Sequence, residues 1–230
     1  MGRMTETLVQ ALLPARCLLC GTSLPKLARA GVCLSCWNCL PRIPSPTCAA
    51  CAEPSEQSPC LRCQASPPPW QQCAAVFSYA ARARDLVLLL KHGRDELARP
   101  CAQELVDKLQ ELGLADGFTV TFVPTHLWRR LRRGYNQAEL LASHVAKEAG
   151  LPCRALLRRV TLGSQQGRSR ASRTRQVAAA FRPKGPAPAS VILVDDVITS
   201  GATAMACTRA LRHAGARQVV VLALARTLSR

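Results

Sequence analysis

The sequence predicts an α/β domain, with a mainly parallel sheet flanked by helices, preceded by a small cysteine-rich unit. Patterns typical of strands alternate with helical patterns from about residue 74 to the end of the chain. Nine of the thirteen cysteines lie between Cys17 and Cys63. A chain of 230 residues has room for one domain and such an appendage. We therefore predict two units, residues 1–73 and 74–230.

The cysteines of the first unit come in pairs with metal-ligand spacing. "CLLC" precedes "CLSC" by twelve residues, and "CAAC" precedes "CLRC" by eight. Two C-x-x-C pairs complete a closed four-thiolate zinc site, which stabilises folding and performs no chemistry. We expect two structural zinc ions. Their eight ligands are Cys17, Cys20, Cys33, Cys36, Cys48, Cys51, Cys60 and Cys63.

The spacing leaves the pairing of these motifs open. Consecutive pairing is the simplest assignment, but a cross-brace with the first and third pairs on one ion fits the spacing too. Cys39 adds an overlapping "CWNC", and we treat it as a spare thiol. Buried cysteines without metal are the competing interpretation, which requires this spacing to arise by accident.

The composition also bears on location. No stretch approaches the roughly 20 apolar residues that a membrane span needs, and "LVQALLP" is too short for a signal peptide. We therefore expect a cytoplasmic protein, in which clustered cysteines are more often metal ligands than disulfides.

The second unit is predicted element by element. "VFSYAARARDLVLLLKHGRDELARPCAQELVDKLQEL" indicates a short strand and then one or two helices. "FTVTFVPTH" alternates like a strand that runs into a loop, and "YNQAELLASHVAKEAG" has the apolar spacing of a helix. The last forty residues indicate a βαβ unit: strand "VILVDD", helix "GATAMACTRALRHAG" and strand "QVVVLALA". Ligands of such sheets bind at the carboxyl ends of the strands.

Asp195 and Asp196 are predicted at such a strand end, followed by the turn "TSGAT". Unpaired amides at the start of the next helix, hydroxyl donors and a glycine suit a phosphate monoester. Two carboxylates would repel that phosphate but can accept hydrogen bonds from ribose hydroxyls. The alternative is that the aspartates cap the helix and pair with arginine. The phosphate-binding residues would be Thr199, Ser200, Gly201, Ala202 and Thr203.

The charge is strongly basic and uneven. The net charge is +17, and residues 128–182 hold thirteen Lys or Arg against two Glu. A phosphorylated ligand or a nucleic acid is the expected partner of such a stretch. A coding bias toward arginine is the competing explanation, although it accounts for the identity of the basic residues better than for their clustering.

The motifs together resemble a known family. "VILVDDVITSGAT" resembles the motif of type I phosphoribosyltransferases that binds 5-phosphoribosyl-1-pyrophosphate (PRPP). The order of the other features resembles the ComF family of competence-associated proteins over nearly the whole chain. Those features are the C-x-x-C pairs with "CLSCW", "LLLKHG", "VPTHLWRRLRRGYNQAELLA" and "SQQGRSRASRTRQVAAAF".

The resemblance implies a type I phosphoribosyltransferase fold and a set of site residues. Asp195 and Asp196 would bind the ribose of PRPP and count as catalytic. Residues 158–176 match the loop that closes over the reaction, although Arg168 and Gln176 depart from the family pattern. The residues implied for pyrophosphate and the lid are Lys91, Thr125, His126, Arg129, Arg133, Tyr135, Asn136, Arg170 and Arg173.

Two functions follow from this resemblance. An enzyme would displace pyrophosphate from PRPP with a nitrogen nucleophile, with Mg²⁺ bridging pyrophosphate and ribose hydroxyls. His126 is the best placed histidine for a general base, and a structural role for it is the alternative. A non-catalytic module would bind PRPP or a nucleotide and serve natural transformation and DNA uptake. Single-stranded DNA and other competence proteins would then be its partners.

Overall fold

The computed structural model describes residues 15–24, 30–114, 116–125, 134–160 and 180–229. Two short helices, α1 (Leu34–Asn38) and α2 (Leu61–Ala65), belong to the cysteine-rich segment. The α/β part then runs in the order β1 (Gln72–Ser78), α3 (Ala81–Lys91), a 3₁₀ turn (Asp95–Leu97), α4 (Ala98–Glu111), β2 (Thr119–Phe122), α5 (Gln137–Glu148), β3 (Leu157–Arg159), β4 (Phe181–Pro183), β5 (Ser190–Ile198), α6 (Ala202–His213) and β6 (Gln218–Arg226).

The main sheet has four parallel strands in the order β1-β6-β5-β2. The two central strands, β5 and β6, contain the near-continuous apolar runs "VILV" and "VVVLALA", and nearly all of these residues are buried. Such runs are typical of parallel strands covered on both faces. The predicted fold class and the terminal βαβ unit are confirmed. A separate antiparallel hairpin of β3 and β4 packs against α6.

The long apolar segment after β1 forms two helices. α3 ends at Lys91, and Gly93 then adopts a φ of +96°, a left-handed conformation that favours glycine. The 3₁₀ turn leads into α4, whose first turn contains Pro100 at a position that needs no backbone donor. The break directs α4 back across the sheet.

Two apolar clusters cover the two faces of the sheet. One contains residues of α3, α4 and α5, together with Val32, Trp37 and three cysteines of the first C-x-x-C pairs. The other contains residues of α6 and the hairpin, together with Ala52 and Trp70. The cysteine-rich segment therefore shares its core with the α/β part. The boundary at residue 73 stays a prediction, and β1 begins at Gln72.

The cysteine-rich segment also pairs with the edge strand β1. The Ile43 amide donates to the Val76 carbonyl at 3.0 Å, and the Ser78 amide donates to the Pro41 carbonyl at 2.8 Å. Further along, the Cys73 amide donates to the carbonyl of Ala49 at 2.7 Å. An edge strand that is covered in this way cannot template pairing with another chain.

Candidate functional site

The eight predicted cysteine ligands form two clusters. Cys17, Cys20, Cys33 and Cys36 make the first, and the second consists of Cys48, Cys51, Cys60 and Cys63. Within each cluster all sulfur atoms lie within 4.8 Å of one another. Consecutive pairing is therefore correct, and the cross-brace is not formed. Cys39 is exposed and belongs to neither cluster.

The geometry of both clusters fits tetrahedral zinc. Zinc–sulfur bonds of about 2.3 Å place the sulfurs of a tetrahedral site about 3.8 Å apart. The Cys20 and Cys33 Sγ atoms are 3.8 Å apart in the first cluster, and those of Cys51 and Cys60 are 3.8 Å apart in the second. We call the segments around these clusters the first ribbon (residues 17–37) and the second ribbon (residues 48–70).

Backbone donors favour the thiolate form of one cysteine in each cluster, Cys17 and Cys48, whereas burial raises the pKa of Cys36, Cys51 and Cys63. Burial raises the pKa of the Cys17 thiol, but hydrogen bonds from backbone amides, chiefly that of Cys33, outweigh burial and lower this pKa to about 6. Burial likewise raises the pKa of Cys48, and the Cys60 and Ala50 amides outweigh it to leave a pKa of about 7. Metal binds the thiolate, so these amides favour zinc binding.

A buried carboxylate joins each ribbon to the α/β part. Glu104 of α4 accepts from Trp37 Nε1 at 2.8 Å and pairs with Arg42 at 2.6 Å. Glu53 pairs with Arg226, at the end of β6, at 3.0 Å, and also accepts from the Ser229 amide at 3.2 Å. Sequence reasoning identified neither carboxylate, because each partner is distant in the chain.

Asp195 and Asp196 lie near the carboxyl end of β5. Asp195 is 9% exposed, and its Oδ1 accepts from the Asp196 amide at 2.9 Å. Burial, followed by the adjacent charge of Asp196, raises the pKa of Asp195 well above its ordinary range. Asp196 accepts from the Val197 amide at 2.8 Å and is more exposed. The two neighbouring carboxylates therefore differ in their environments.

Lys91 is paired with the aspartates. It is the last residue of α3, and its Nζ lies 3.0 Å from Oδ2 of Asp196. The two side chains are 21% and 16% exposed. An ion pair that is largely buried is screened little by solvent. The structure thus brings together two residues that are 105 positions apart and that the sequence analysis had named separately.

The turn after β5 has the expected backbone. Gly201 has a φ of +77° and is the N-cap of α6, and it provides no side-chain cap for the first amides of the helix. The Ser200 hydroxyl lies 3.4 Å from the Ala202 amide, and both Thr199 and Ser200 are exposed. Amides at the start of a helix carry partial positive charge, so this turn can hold an anion.

Two predicted residues outside this turn have defined contacts. Asn136 caps α5 by accepting from the Ala138 amide at 3.2 Å, and it donates to the Val123 carbonyl at 3.1 Å. The Tyr135 hydroxyl donates to the Leu90 carbonyl at 2.5 Å, and burial raises its pKa. A third predicted residue, Thr125, lies at the end of the segment that follows β2. The hydrogen bonds of Asn136 and Tyr135 join the start of α5 to the ends of β2 and α3.

A cleft of about 170 Å³ lies between these elements. Lys91, Thr125, Asn136, Asp195, Asp196 and Thr203 line it, as do Val123, Pro124, Gln137, Ala138, Arg159 and Val197. Tyr135, Thr199, Ser200, Gly201 and Ala202 are not among its lining residues. Sequence reasoning included Arg159 only within the lid range 158–176. The sequence contained no local signal that distinguished it from the other arginines of that range.

Five of the predicted residues fall outside the described part of the chain. They are His126, Arg129, Arg133, Arg170 and Arg173. Where the structure describes the chain, no helix is long and apolar enough to cross a membrane.

Comparisons with known proteins agree with this architecture. Residues 8–75 match the model of the double zinc ribbon domain. The chain is 33% identical to the DNA utilization protein YhgH of Escherichia coli O6:H1, over 94% of this chain and 98% of that protein. It is 28% identical to competence protein F of Haemophilus influenzae, over 92% of this chain and 96% of that protein.

A solved structure also aligns with part of the chain. It is the glutamine PRPP amidotransferase of B. subtilis, with 19% identity and a TM-score of 0.40 over 59% of this chain and 30% of that one. The sequence relationships extend over both ribbons and the whole sheet. The chain therefore belongs to the ComF family, together with the YhgH proteins and competence protein F.

Proposed function

We propose that this protein binds PRPP in the cleft beside Asp195 and Asp196, as a phosphoribosyltransferase-like protein of competence-related DNA handling. One observation carries the proposal: the carboxylate pair, two cationic side chains and the start of α6 surround a single cleft at the carboxyl ends of parallel strands. The cations are Lys91 and Arg159. The names of its relatives, DNA utilization protein and competence protein, support the biological setting.

The cleft and the turn beside it suit different parts of PRPP. Asp195 and Asp196 would accept hydrogen bonds from the ribose hydroxyls. A phosphate would not bind at this place, because the two carboxylates would repel it. The turn at residues 199–203 would hold the 5-phosphate with its backbone amides and hydroxyls. Lys91 and Arg159 would face the pyrophosphate, whose negative charge draws Lys91 away from Asp196.

Mg²⁺ fits this cleft by its donor chemistry, because the carboxylates of Asp195 and Asp196 are the oxygen ligands that it prefers. When bound, it would neutralise charge on the pyrophosphate. An arriving cation favours the ionised form of Asp195, whose pKa is raised in the free protein. We therefore expect PRPP binding to depend on magnesium and to weaken as the pH falls.

The same residues would serve either a transfer reaction or the binding of PRPP without a reaction. In transfer, a nitrogen nucleophile attacks C1 of the ribose as the bond to pyrophosphate breaks, and the electron pair leaves with the pyrophosphate. Lys91 and Arg159 would stabilise that growing charge, while the carboxylates hold the ribose in place. A module that only recognises PRPP needs the same contacts without an acceptor.

Calorimetry with PRPP and Mg²⁺ tests the binding proposal. The double variant Asp195→Asn/Asp196→Asn should bind PRPP at least about tenfold more weakly, because an amide accepts from hydroxyls less strongly than a carboxylate. The matched control is Asp85→Asn/Asp107→Asn, which removes two exposed carboxylates elsewhere. Equal affinity in both double variants would sink the proposal. Pyrophosphate release with a panel of nitrogen bases then separates an enzyme from a module.

A second function, binding of single-stranded DNA, is favoured by the hairpin of β3 and β4. Arg158 lies directly opposite Arg182 in the antiparallel register, and both are exposed. Like charges directly opposite each other destabilise a hairpin unless an anion neutralises them. Arg154 and Lys184, close in sequence to the two strands, are also basic. A phosphate backbone is the anion that suits such a surface.

Salt-dependent binding of an oligonucleotide tests this second function. Arg158→Gln/Arg182→Gln should weaken the affinity and reduce its dependence on salt, because fewer counterions are released. Arg84→Gln/Lys147→Gln removes the same charge from other exposed positions and should have a smaller effect. If both double variants lose the same affinity, net charge alone accounts for binding and the hairpin has no special role.

A further inference from the structure

The side chain of Trp70 extends from the second ribbon to the turn proposed to bind phosphate. Its Nε1 donates to the carbonyl of Ala50 at 2.7 Å, and Ala50 lies between the zinc ligands Cys48 and Cys51. At the other end, Cη2 of the ring lies 3.6 Å from the position that a Cβ on Gly201 would occupy. Trp70 is 8% exposed. One buried ring therefore extends from the Ala50 carbonyl to the space beside Gly201.

The segment that carries Trp70 is held on both sides. The Pro69 carbonyl accepts from Arg212 of α6 at 2.8 Å. Gln71 forms hydrogen bonds with Val219 through its amide at 3.0 Å and its side-chain oxygen at 2.7 Å. These bonds attach the backbone on both sides of Trp70 to the α/β part, while the indole N–H is bonded to the second ribbon. The position of the ring therefore depends on both parts of the molecule.

Gly201, near which the ring lies, is the residue of the turn with the greatest conformational freedom. Gly201 is the N-cap of α6, has a positive φ and provides no side chain of its own. Its conformation decides where the first amides of α6 point. A ring packed against it restricts that conformation, and an anion held by the same amides would restrict it further.

The first ribbon provides the contrasting case. Its own tryptophan, Trp37, donates from Nε1 to Glu104 of α4. Trp37 belongs to the apolar cluster on the opposite face of the sheet from Trp70. The two ribbons have the same ligand set, but Trp37 donates to a carboxylate of α4, whereas Trp70 donates to a carbonyl of its own ribbon and lies near Gly201.

We propose that zinc binding by the second ribbon and anion binding by residues 199–203 are coupled through Trp70. The proposal rests on the proposed function, since it takes the turn as the phosphate site. Coupling between two sites is reciprocal, so the ligand must strengthen zinc binding by the same factor by which zinc strengthens ligand binding. Typical couplings change an affinity by about 5–150-fold.

Competition with a chromogenic chelator at equilibrium measures both zinc affinities of the full chain. The probe is ribose 5-phosphate, which has the phosphate and the ribose hydroxyls but no pyrophosphate to chelate zinc. Cys63→Ser and Cys20→Ser identify which zinc belongs to which ribbon. We expect ribose 5-phosphate to raise the zinc affinity of the second ribbon at least about fivefold. The first ribbon, in the same sample, should not change and controls for chelation by the ligand.

Two matched variants locate the coupling. Trp70→Phe removes the donor to Ala50 and also Cη2, the ring atom that lies near Gly201, so the fivefold effect should fall toward onefold. Trp37→Phe makes the same change in the first ribbon and should leave the effect intact. The wild-type measurement does not depend on how either variant folds.

The outcomes separate this proposal from the proposed function. Ribose 5-phosphate that binds the wild type without changing either zinc affinity would overturn the coupling alone. A wild type that binds neither ribose 5-phosphate nor PRPP would overturn the phosphate site and the coupling with it. Equal effects in Trp70→Phe and the wild type would remove Trp70 as the route.

Discussion

The two ribbons have the same four-thiolate ligand set but different neighbours. The first ribbon packs into the large apolar cluster beneath α4 and is joined to Glu104. The cysteines of the second form a small cluster of their own, and this ribbon reaches the end of β6 through Glu53 and the start of α6 through Trp70. The same ligand set therefore occurs in two different packing environments, one within a large apolar core and one in a small cluster beside β6 and α6.

Removing one zinc ligand from each ribbon in turn should produce the largest difference in stability between two matched variants. Zinc content should be about two per chain by ligand count and fall to about one in either Cys36→Ser or Cys63→Ser. Structural zinc contributes about 10–16 kcal/mol in isolated finger peptides. We expect Cys36→Ser to lose more of the global free energy of unfolding, on the order of 4 kcal/mol or more, because Cys36 packs with the sheet.

Cys63→Ser should keep most of the sheet intact and lose ligand affinity, since its cluster lies outside the two large cores. Metal analysis and urea denaturation measure these quantities, and calorimetry with PRPP measures the affinity. Equal losses of stability in the two variants, with equal ligand affinity, would remove the distinction between the ribbons.

Replacing the docking carboxylates should give the next largest effect. Glu53 and Arg226 have side chains only 11% and 6% exposed, so Glu53→Gln leaves a buried guanidinium without its charge partner, at a cost of about 3–5 kcal/mol. Arg42, the partner of Glu104, is 60% exposed and can return to water. Glu104→Gln should therefore cost only about 1–3 kcal/mol. A larger loss for Glu104→Gln in denaturation experiments would reverse this ranking.

Replacing Asp195 should raise the free energy of unfolding, whereas replacing Glu53 should lower it. The change at Asp195 should be the smallest of these effects. Burial raises its pKa, so the folded protein loses stability as the pH rises from the unfolded value of about 3.9 through the folded pKa. Asp195→Asn keeps the acceptor for the Asp196 amide but has no charge to bury. It should raise the free energy of unfolding by about 1 kcal/mol or more, since each pKa unit corresponds to about 1.4 kcal/mol.

This gain should increase with pH up to the folded pKa of Asp195, measured by thermal denaturation with zinc bound. Asp85→Asn, at an exposed position of α3, is the control and should show no such trend. An Asp195→Asn variant that melts below the wild type at every pH would show that the carboxylate stabilises the fold.

Much of the fold followed from local patterns. The C-x-x-C pairs identified all eight thiolates of the two clusters, because each pair forms a knuckle within four residues. The apolar runs identified β5, α6 and β6, and "DD" followed by "TSGAT" pointed to the carboxyl end of β5. The β2 pattern predicted a strand that runs into a loop at its proline, and the strand ends at Phe122, two residues before Pro124.

Other features had no local signal. Arg159 lines the cleft only because the hairpin of β3 and β4 packs beside α6. The partners of Glu53 and Glu104 lie 173 and 67 positions away along the chain. The sequence also did not indicate that apolar residues of the cysteine-rich segment pack against both faces of the sheet.

The sequence by itself determined the ligands of two zinc ribbons, the parallel βαβ end and the carboxylate pair with its glycine turn. Each is set within a few residues by backbone hydrogen bonding and side-chain spacing. Only the tertiary structure decided that Lys91 pairs with Asp196 and that Trp70 joins the second ribbon to Gly201. Such pairs depend on how separate elements pack. An apolar pattern indicates that a face is buried, but it does not indicate which element covers that face.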